Sequence, residues 1–294
     1  MSKVDFWLDT QDNMVGKWAA NLEVGRSITG SLNADRTFRH RKPIEAEPLT
    51  WSDFKHLVSD LASRPRSNFV FRGQRDRAWK LRTHFHRLGH LSLTRFLLLK
   101  WPEIKERLDS HNAGANRGER NHTLYSLLSL AQHHGFPTPL LDWTYSPYVA
   151  ILFALRHARS PKPGSNLDQL TGDKVRIYQF EVEQWQGDRS SRSYPSLLDP
   201  QPMAQVIVCP AVGNPRHAPQ QSCHMATNIA DLEALFAMRS EEDGEQYLRI
   251  FEIDIAEREK ILRELTLMGI GPAALFPGLD GVCEALKWEL FGFV

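Results

Sequence analysis

Apolar positions recur along the chain with two different periods, so the sequence predicts both helices and strands. Apolar residues follow the spacing of one helix face over 54–61, and Thr50 and Asp53 have the form of a capping box in front of them. The run 68–72 alternates with the period of a strand and places its phenylalanines on one side, away from Arg72. A capped helix followed by a strand is therefore expected at the start of the main body of the chain.

The remaining periodic segments alternate irregularly between helix and strand, which favours an α+β fold. Further helices are expected at 93–108, 124–131, 147–158, 257–268 and 281–291, and further strands at 175–182, 204–209 and 248–255. Ser146 before Pro147 has the form of a helix start. The stretch 133–144 in front of it is interpreted as a turn between two helices.

The first residues of the chain differ in character from the rest. Residues 1–46 are polar, and glycines punctuate their short runs, so short strands joined by turns are expected there. Pro43 and Pro48 mark a linker. We therefore expect a small β-rich accessory segment at 1–46 and one larger domain at 47–294.

The composition supports a globular core and limits where a polyanion could bind. The chain has 294 residues, of which 41% are hydrophobic and 24% charged, so wholesale disorder is excluded. Its net charge of +1 excludes a global polycation, so any phosphate or nucleic-acid site must come from local segregation of charge. Three separated cysteines predict neither a disulfide framework nor a metal site. No apolar run approaches the roughly 20 residues of a membrane span, and no signal peptide is recognisable, so a cytoplasmic protein is expected.

The segment Arg64–Arg87 concentrates positive charge. It holds eight Lys and Arg residues against one acid, with aromatic residues between them. Guanidinium groups bind phosphate and aromatic faces stack on bases, so this segment is a candidate nucleic-acid surface. The nucleic-acid candidates are Arg75, Arg77, Lys80 and Arg82. The alternative is that the aromatics belong to the core and most arginines form a solvated face. Arg72 stands apart, because Gly73 after it leaves the backbone open to close approach by a ligand.

Two further clusters could carry chemistry. His133, His134, Asp142 and Thr144 lie around the expected turn, where a histidine could move a proton and a carboxylate could orient it or bind a ribose hydroxyl. Helix capping is the alternative for the acidic and hydroxyl residues. In a third segment, Arg216 and the pair 220–221 could bind amide or hydroxyl groups.

These segments together resemble the FRG domain, which is named for its Phe-Arg-Gly motif. The resemblance covers roughly 50–290 in ordered blocks. The blocks are Phe71-Arg72-Gly73-Gln74 with Trp79-Lys80-Leu81, then Gln132-His133-His134-Gly135, Thr138, Leu140-Leu141-Asp142-Trp143-Thr144, Ser146-Pro147 and Ala150, then Arg216 with Gln220-Gln221, and last Leu275-Phe276-Pro277-Gly278-Leu279-Asp280-Gly281. The resemblance implies an effector from prokaryotic phage conflict or a toxin system, with a possible neutralising antitoxin or partner protein.

A more distant resemblance is to ADP-ribosyltransferases, in which an arginine at the end of an early strand holds the phosphates of NAD. It implies a mixed or split central sheet with flanking helices, NAD as the ADP-ribosyl donor and no metal. The catalytic residues that it implies are Arg72, His134, Asp142 and Gln221. The implied contacts to NAD are Phe71, Arg72, Gly73, Gln74, His133, Thr138, Thr144 and Gln220. These enzymes also use a glutamate on a later strand; Gln220 or Gln221 stands there in this sequence, and Asp142 or Glu284 would have to replace it.

Three functions are therefore carried forward from the sequence. The first is an NAD-dependent ADP-ribosyltransferase that modifies RNA, DNA or protein. The second is a non-enzymatic module that binds nucleic acid or a nucleotide, which the missing glutamate favours. The third is a metal-independent nuclease in which His133 or His134 acts as the general base.

Overall fold

The structure is a computed structural model of the chain. It describes residues 3–8, 14–21, 27–33, 42–65, 68–89, 92–112, 123–158, 174–187, 195–199, 201–209 and 214–293. The strands are β1 (Lys3–Leu8), β2 (Met14–Asn21), β3 (Ser27–Asn33), β4 (Ala46–Pro48), β5 (Phe69–Gln74), β6 (Leu140–Thr144), β7 (Lys174–Glu181), β8 (Ala204–Ile207), β9 (Ser222–Thr227) and β10 (Leu248–Asp254).

The helices lie between the strands of the main body and, at its end, after the last strand. They are α1 (Trp51–Leu61), α2 (His84–Leu88), α3 (Leu93–Arg95), α4 (Trp101–Asn112), α5 (Leu124–His133), α6 (Pro147–Arg156), α7 (Val182–Gln186), α8 (Leu232–Asp243), α9 (Arg258–Leu267), α10 (Pro272–Leu275) and α11 (Leu279–Phe291). A π-helical stretch, Phe96–Lys100, joins α3 to α4, and a 3₁₀ turn, Ile255–Glu257, precedes α9. The helix expected over 93–108 is therefore divided by the π-helical stretch directly before α4.

The strands form two sheets. In the first, β1, β2 and β3 make an antiparallel meander, in agreement with the short strands expected there. The second has seven strands in the order β4-β10-β7-β5-β6-β9-β8. Only the β10–β4 pair is parallel in this sheet, so it is mixed, and the α+β fold class is confirmed.

The seven-stranded sheet is split between its two central strands. Strand β5 pairs with β7 along its whole length, and β6 pairs with β9 along its whole length. Between β5 and β6, in contrast, the register is a single pair, Phe71 opposite Thr144. The two halves of the sheet diverge from this point, and the side chain of Arg72 lies at the divergence, where its Nη1 donates to the carbonyl oxygen of Asp142 at 2.6 Å.

Helices pack on both faces of the sheet. On one face, α1, α6 and α9 bury their apolar residues against β5, β7 and β10. On the opposite face, α8 packs against the same strands together with the inward residues of β6, β8 and β9. A third cluster includes α5 and residues of β6, β8 and β9. The arrangement leaves α5 and α6 on either side of the split.

Local signals placed the helix starts correctly. Thr50 and Asp53 form the expected capping box of α1, and the hydroxyl of Ser146 accepts from the backbone of Val149 at the start of α6. The prediction of a turn over 133–144 is wrong, because residues 140–144 form the central strand β6. No helix in the described ranges is both long and apolar enough to cross a membrane.

Candidate active site

A cleft of about 480 Å³ lies at the split between β5 and β6. This volume is within the range of pockets that bind small molecules and nucleotides. Helix α5 lines it with Ser129, Gln132 and His133, and α6 lines it with Ala150 and Phe153. The remaining lining residues are Phe71, Arg72, Gly73, Gln74, Arg75, Trp79, Arg87, Asp142, Trp143, Thr144, His157, Asn214, Arg216, Gln220, Ser222, His224 and Phe276.

The carboxylate of Asp142 is held by two side chains that come from different elements. Cross-strand pairing puts Asp142 directly opposite His224, and the imidazole Nδ1 lies 3.1 Å from Oδ1. The amide of Gln132 donates to the same oxygen, and Thr138 in turn donates to the carbonyl of Gln132. Both contacts use Oδ1, so within the described residues Oδ2 has no hydrogen bond. One oxygen of the carboxylate is therefore fixed, and the other is available to a ligand.

Ser129, His224 and Asp142 are connected by hydrogen bonds in the order of a nucleophilic triad, but here the aspartate is exposed and the serine is buried. The Ser129 hydroxyl lies 2.8 Å from Nε2 of His224, as in such a triad. Ser129 and His224 are 6% and 5% exposed, however, whereas the Asp142 side chain is 63% exposed. The group among these three that is exposed to the cleft is the carboxylate, and we interpret Ser129 and His224 as the residues that orient it.

The surroundings of Asp142 keep it ionised. Enclosure by the cleft walls acts to raise the pKa of Asp142, but the hydrogen bonds from His224 and Gln132 and the charges of His224 and Arg72 outweigh it, so the pKa is lower than usual. The carboxylate therefore carries its negative charge throughout the neutral range.

Arg72 connects the two halves of the sheet and faces the cleft. Its bond to the Asp142 carbonyl replaces a ladder bond that the diverging strands cannot make. Its Nε is buried and has no partner among the described residues. Burial lowers the pKa of Arg72, and the carboxylate of Asp142 opposes this, so the guanidinium stays charged in the neutral range. A buried donor without a partner is costly.

Helix packing explains Gly73 without any ligand. A Cβ at this position would collide with the carbonyl oxygen of Ala150 and come within 2.9 Å of the backbone nitrogen of Ala154. Gly73 lines the cleft, yet the group that approaches its backbone closely is α6. The expectation that this glycine opens the backbone to a ligand is corrected accordingly.

The two neighbouring histidines differ in position. His133 lines the cleft; burial lowers its pKa, and the charge of Arg216 lowers it further, so its imidazole is neutral at pH 7. His134 is exposed, does not line the cleft and packs edge-on against His133. The imidazole that contacts Asp142 is His224, which sequence reasoning missed because its strand was not recognised.

The expected glutamine pair is also divided. Gln220 lines the cleft, and its amide is anchored by donation to the carbonyl of Leu275 at 2.9 Å. Gln221 does not line the cleft and has a backbone φ of 49°, in the left-handed region. Thr144 lines the cleft while its hydroxyl donates to the Gln220 carbonyl, and Thr138 is buried behind Gln132.

The basic segment contributes only part of its charge to the cleft. Arg75 and Arg87 line it, whereas Arg77, Lys80 and Arg82 do not. Lys80 instead forms an ion pair with Asp231 at 3.3 Å. The structure therefore separates the arginines that face the cleft from the rest of the segment.

Among the described residues that line the cleft, Asp142 is the one carboxylate. Glu284, the other acid considered as a replacement for the missing glutamate, is bound by Arg156 through two hydrogen bonds and lies outside the lining. In the described ranges, no three His, Cys, Asp or Glu side chains form a group that could hold a metal ion. In the part of the chain that the structure describes, the cleft lining offers one carboxylate, three histidines (His133, His157 and His224) and four guanidiniums.

Comparison with known proteins identifies one family. Residues 67–162, which contain β5, α5, β6 and α6, match the model of the FRG domain. No curated protein and no solved structure matches the chain. The match spans Arg72, Gly73, Gln132, His133 and Asp142, so much of the cleft lies in the matched region. The resemblance to ADP-ribosyltransferases stays a prediction.

Proposed function

We propose that the cleft, part of which lies in the region that matches the FRG domain, binds NAD and transfers ADP-ribose from it to an acceptor. The observation that carries the proposal is the ionised carboxylate of Asp142, which lies in the cleft with one oxygen fixed and one available. A cationic wall surrounds this single anion. The cationic wall suits the anionic part of a ligand, and the carboxylate suits a part that becomes cationic during the reaction.

The charges of the lining suit a dinucleotide. Four arginines, Arg72, Arg75, Arg87 and Arg216, line the cleft against one acid. Arginine forks donate to phosphate oxygens in pairs, so these four guanidiniums supply the donors that a pyrophosphate in the cleft needs. Phe153 and Phe276 lie edge to face with ring centroids 5.7 Å apart and offer apolar surface to a ring of the ligand.

Each residue then has a defined role. Arg72 and Arg216 bind the pyrophosphate, and the amide of Gln220, held in place by Leu275, presents its oxygen to a carboxamide or hydroxyl group. Asp142 binds the ribose and stabilises positive charge beside it. His224 and Gln132 are positioning residues, because they contact Asp142 and keep its free oxygen in one place.

NAD as donor supplies a nicotinamide–ribose bond whose cleavage builds positive charge on the anomeric carbon. Asp142 contributes a fixed negative charge. Its attraction to the ribose is stronger in the cationic transition state than in the ground state, which lowers the barrier. His133, which is neutral at pH 7, can accept the proton that the acceptor loses. No residue of the cleft needs to form a covalent bond in this scheme.

The test is nicotinamide release from NAD by the purified full chain, followed by chromatography, with mass spectrometry of candidate acceptors. Asp142→Asn keeps the size of the side chain and one oxygen that can accept from His224 and Gln132, but it removes the charge, so we expect release to fall by about a hundredfold to a thousandfold. Asp60→Asn changes an exposed carboxylate on α1 that does not line the cleft and serves as the matched control. Thermal unfolding of both variants checks that each is folded.

Arg72→Lys is the second variant, because a lysine keeps the charge and one bond to the Asp142 carbonyl but loses the fork. We expect weaker NAD binding with the fold retained. Absence of nicotinamide release and of any mass increment from wild type, under conditions where the protein is folded, contradicts the proposal. Equal release by wild type and Asp142→Asn contradicts the role of the carboxylate.

A role in phage defence or as a toxin is part of the proposal. Expression of the wild-type chain should then slow bacterial growth or restrict phage, and Asp142→Asn should abolish the effect while Asp60→Asn retains it. A partner protein that neutralises the chain would be found by co-expression that restores growth. If Asp142→Asn still slows growth or restricts phage as the wild type does, the biological role does not depend on the cleft.

The second candidate is a nucleotide-binding module without chemistry. The observation that favours it is the glutamine at the place of the transferase glutamate, because an amide carries no negative charge. Calorimetry would then show NAD or a nucleotide bound without release of nicotinamide. Cleavage of RNA or DNA without NAD, lost in His133→Ala, would instead indicate the nuclease.

A further inference from the structure

Three exposed residues of the segment 75–87 form one edge of the cleft, and we call them the rim: Arg75, Trp79 and Arg87. The guanidinium of Arg75 lies over the ring of Trp79, 4.8 Å from its centroid. Trp79 is 40% exposed although it lines a cleft. The ring therefore offers a planar apolar face at the edge of the cleft.

The charges of the rim are free to bind. Neither Arg75 nor Arg87 has an ion pair in the part of the chain that the structure describes, whereas nearby Lys80 pairs with Asp231. The charge of Arg87 acts on Arg72 and that of Arg75 on His157, so both belong to the electrostatic environment of the cleft. The lining thus holds more positive charge than the two phosphates of one dinucleotide neutralise.

We infer that the acceptor in the reaction proposed above is single-stranded nucleic acid, bound at the rim; this inference rests on the proposed function. The two arginines contact backbone phosphates. The cation–π contact with Arg75 holds the indole of Trp79, and the exposed ring face stacks on an unpaired base. A base in a duplex has no free face, so the strand must be single or locally opened.

A protein acceptor fits the rim less well. An acidic peptide would pair with Arg75 and Arg87 but has no planar group to stack on Trp79. Nucleic acid supplies both phosphates and planar bases along one strand, and proteins bind single strands with cationic and aromatic side chains together. Both features of the rim are therefore used by one ligand class.

The transfer step balances with nucleic acid as acceptor. A nitrogen or oxygen lone pair of the nucleotide forms a bond to the anomeric carbon of the ribose, and the bond from that carbon to nicotinamide breaks. Nicotinamide leaves with the bonding electron pair as a neutral molecule. The proton of the attacking N–H or O–H group passes to His133 or to water, and no oxidant or metal is consumed.

The experiment is fluorescence anisotropy of the full chain with a labelled single-stranded oligonucleotide, without NAD and over a range of salt concentrations. Two phosphate contacts predict a slope of about −1.4 in log affinity against log salt concentration. Arg75→Ala should reduce the magnitude of this slope by about 0.7. Trp79→Ala should weaken binding by about fivefold to a hundredfold.

Arg77→Ala is the matched control, because Arg77 is an exposed arginine two positions from Arg75 that does not line the cleft. We expect it to keep the wild-type slope and affinity. A labelled poly-glutamate peptide and a labelled duplex serve as competing ligands. Stronger binding of the peptide than of the single strand overturns the inference in favour of a protein acceptor.

The inference and the proposed function can fail separately. Equal losses of oligonucleotide affinity for Arg75→Ala and Arg77→Ala would show a general attraction to the basic segment. This result would overturn the inference that the strand binds at the rim. No measurable binding of single strands at low salt would do the same, even if nicotinamide release is observed. Oligonucleotide binding at the rim without any nicotinamide release would support the rim as a binding surface and contradict the proposed transferase activity.

Discussion

Replacement of Gly73 by alanine tests why a glycine follows Arg72. Strand β5 lies in the middle of the sheet, and α6 crosses it so closely that a Cβ at position 73 would meet backbone atoms of Ala150 and Ala154. A flexible side chain could turn away from a new methyl group, but backbone inside a helix cannot. We therefore expect the upper end of the usual cost of overpacking, about 3 kcal/mol in the free energy of unfolding.

The assay is urea-induced unfolding followed by tryptophan fluorescence, with Gly271→Ala as the control. A Cβ at Gly271 would meet nothing within 4 Å, and its backbone is extended at φ −147°, a conformation open to any residue. We expect this control to lie within about 0.5 kcal/mol of wild type. Wild-type stability in Gly73→Ala would refute the close packing of α6 and return the glycine to a role in ligand approach.

Three further predictions concern stability. Burial and a nearby arginine lower the pKa of His86 to about 4, so the unfolded chain takes up a proton between pH 6.5 and 4 that the folded chain does not. Wild-type stability should therefore fall as the pH drops through this window, and His86→Gln should flatten the fall by up to about 3 kcal/mol, measured by urea unfolding at each pH. Glu284→Gln leaves the guanidinium of Arg156 only 16% exposed without its anion and should cost about 2 kcal/mol in the same assay. Ser129→Ala removes the partner of the buried Nε2 of His224 and should lower the unfolding free energy by about 1–2 kcal/mol.

Matched controls exist for these variants. His84→Gln changes an exposed histidine of the same helix α2 and should leave the pH dependence unchanged. Glu289→Gln changes an exposed glutamate of α11 and should cost less than 0.5 kcal/mol, as surface substitutions usually do. An unchanged pH profile in His86→Gln, or equal losses in Glu284→Gln and Glu289→Gln, would contradict the burial and pairing on which the predictions rest.

The elements that the sequence predicts well are those with local signals. A capping residue next to the first turn places the starts of α1 and α6, because the hydrogen bonds at a helix start are made within a few residues. The alternation of β5 is visible because its aromatic residues occupy one face. The FRG motif itself is a local sequence, which is why Arg72 could be identified as a candidate without any structure.

The elements that the sequence misses depend on contacts between distant residues. Strand β6 is five residues long, and Asp142 interrupts its apolar pattern, so the run resembles a turn. Only pairing with β9, about 80 residues further on, shows that the interruption faces the cleft. The partnership of Asp142 with His224 follows from that register alone. Histidine within an alternating run, as in Ser222–Thr227, is the signal that could have found it.

The functional candidates divide along the same line. Arg72, Asp142 and Gln220 converge on one cleft, although they come from separate blocks of sequence. His134 and Gln221 stand next to residues of the lining, and a sequence motif cannot tell which of two adjacent side chains turns inward. Helix and loop geometry decides this, and in both pairs the first residue faces the cleft.

The most direct test of the central claim is a crystal structure of the full chain with ADP-ribose at saturating concentration, since this product holds both the pyrophosphate and the ribose. We predict the pyrophosphate within hydrogen-bonding distance of Arg72 and the terminal ribose against Oδ2 of Asp142. A ligand bound outside the cleft would contradict the account. An empty cleft in the crystal would contradict it as well, if calorimetry shows that the protein binds ADP-ribose in solution.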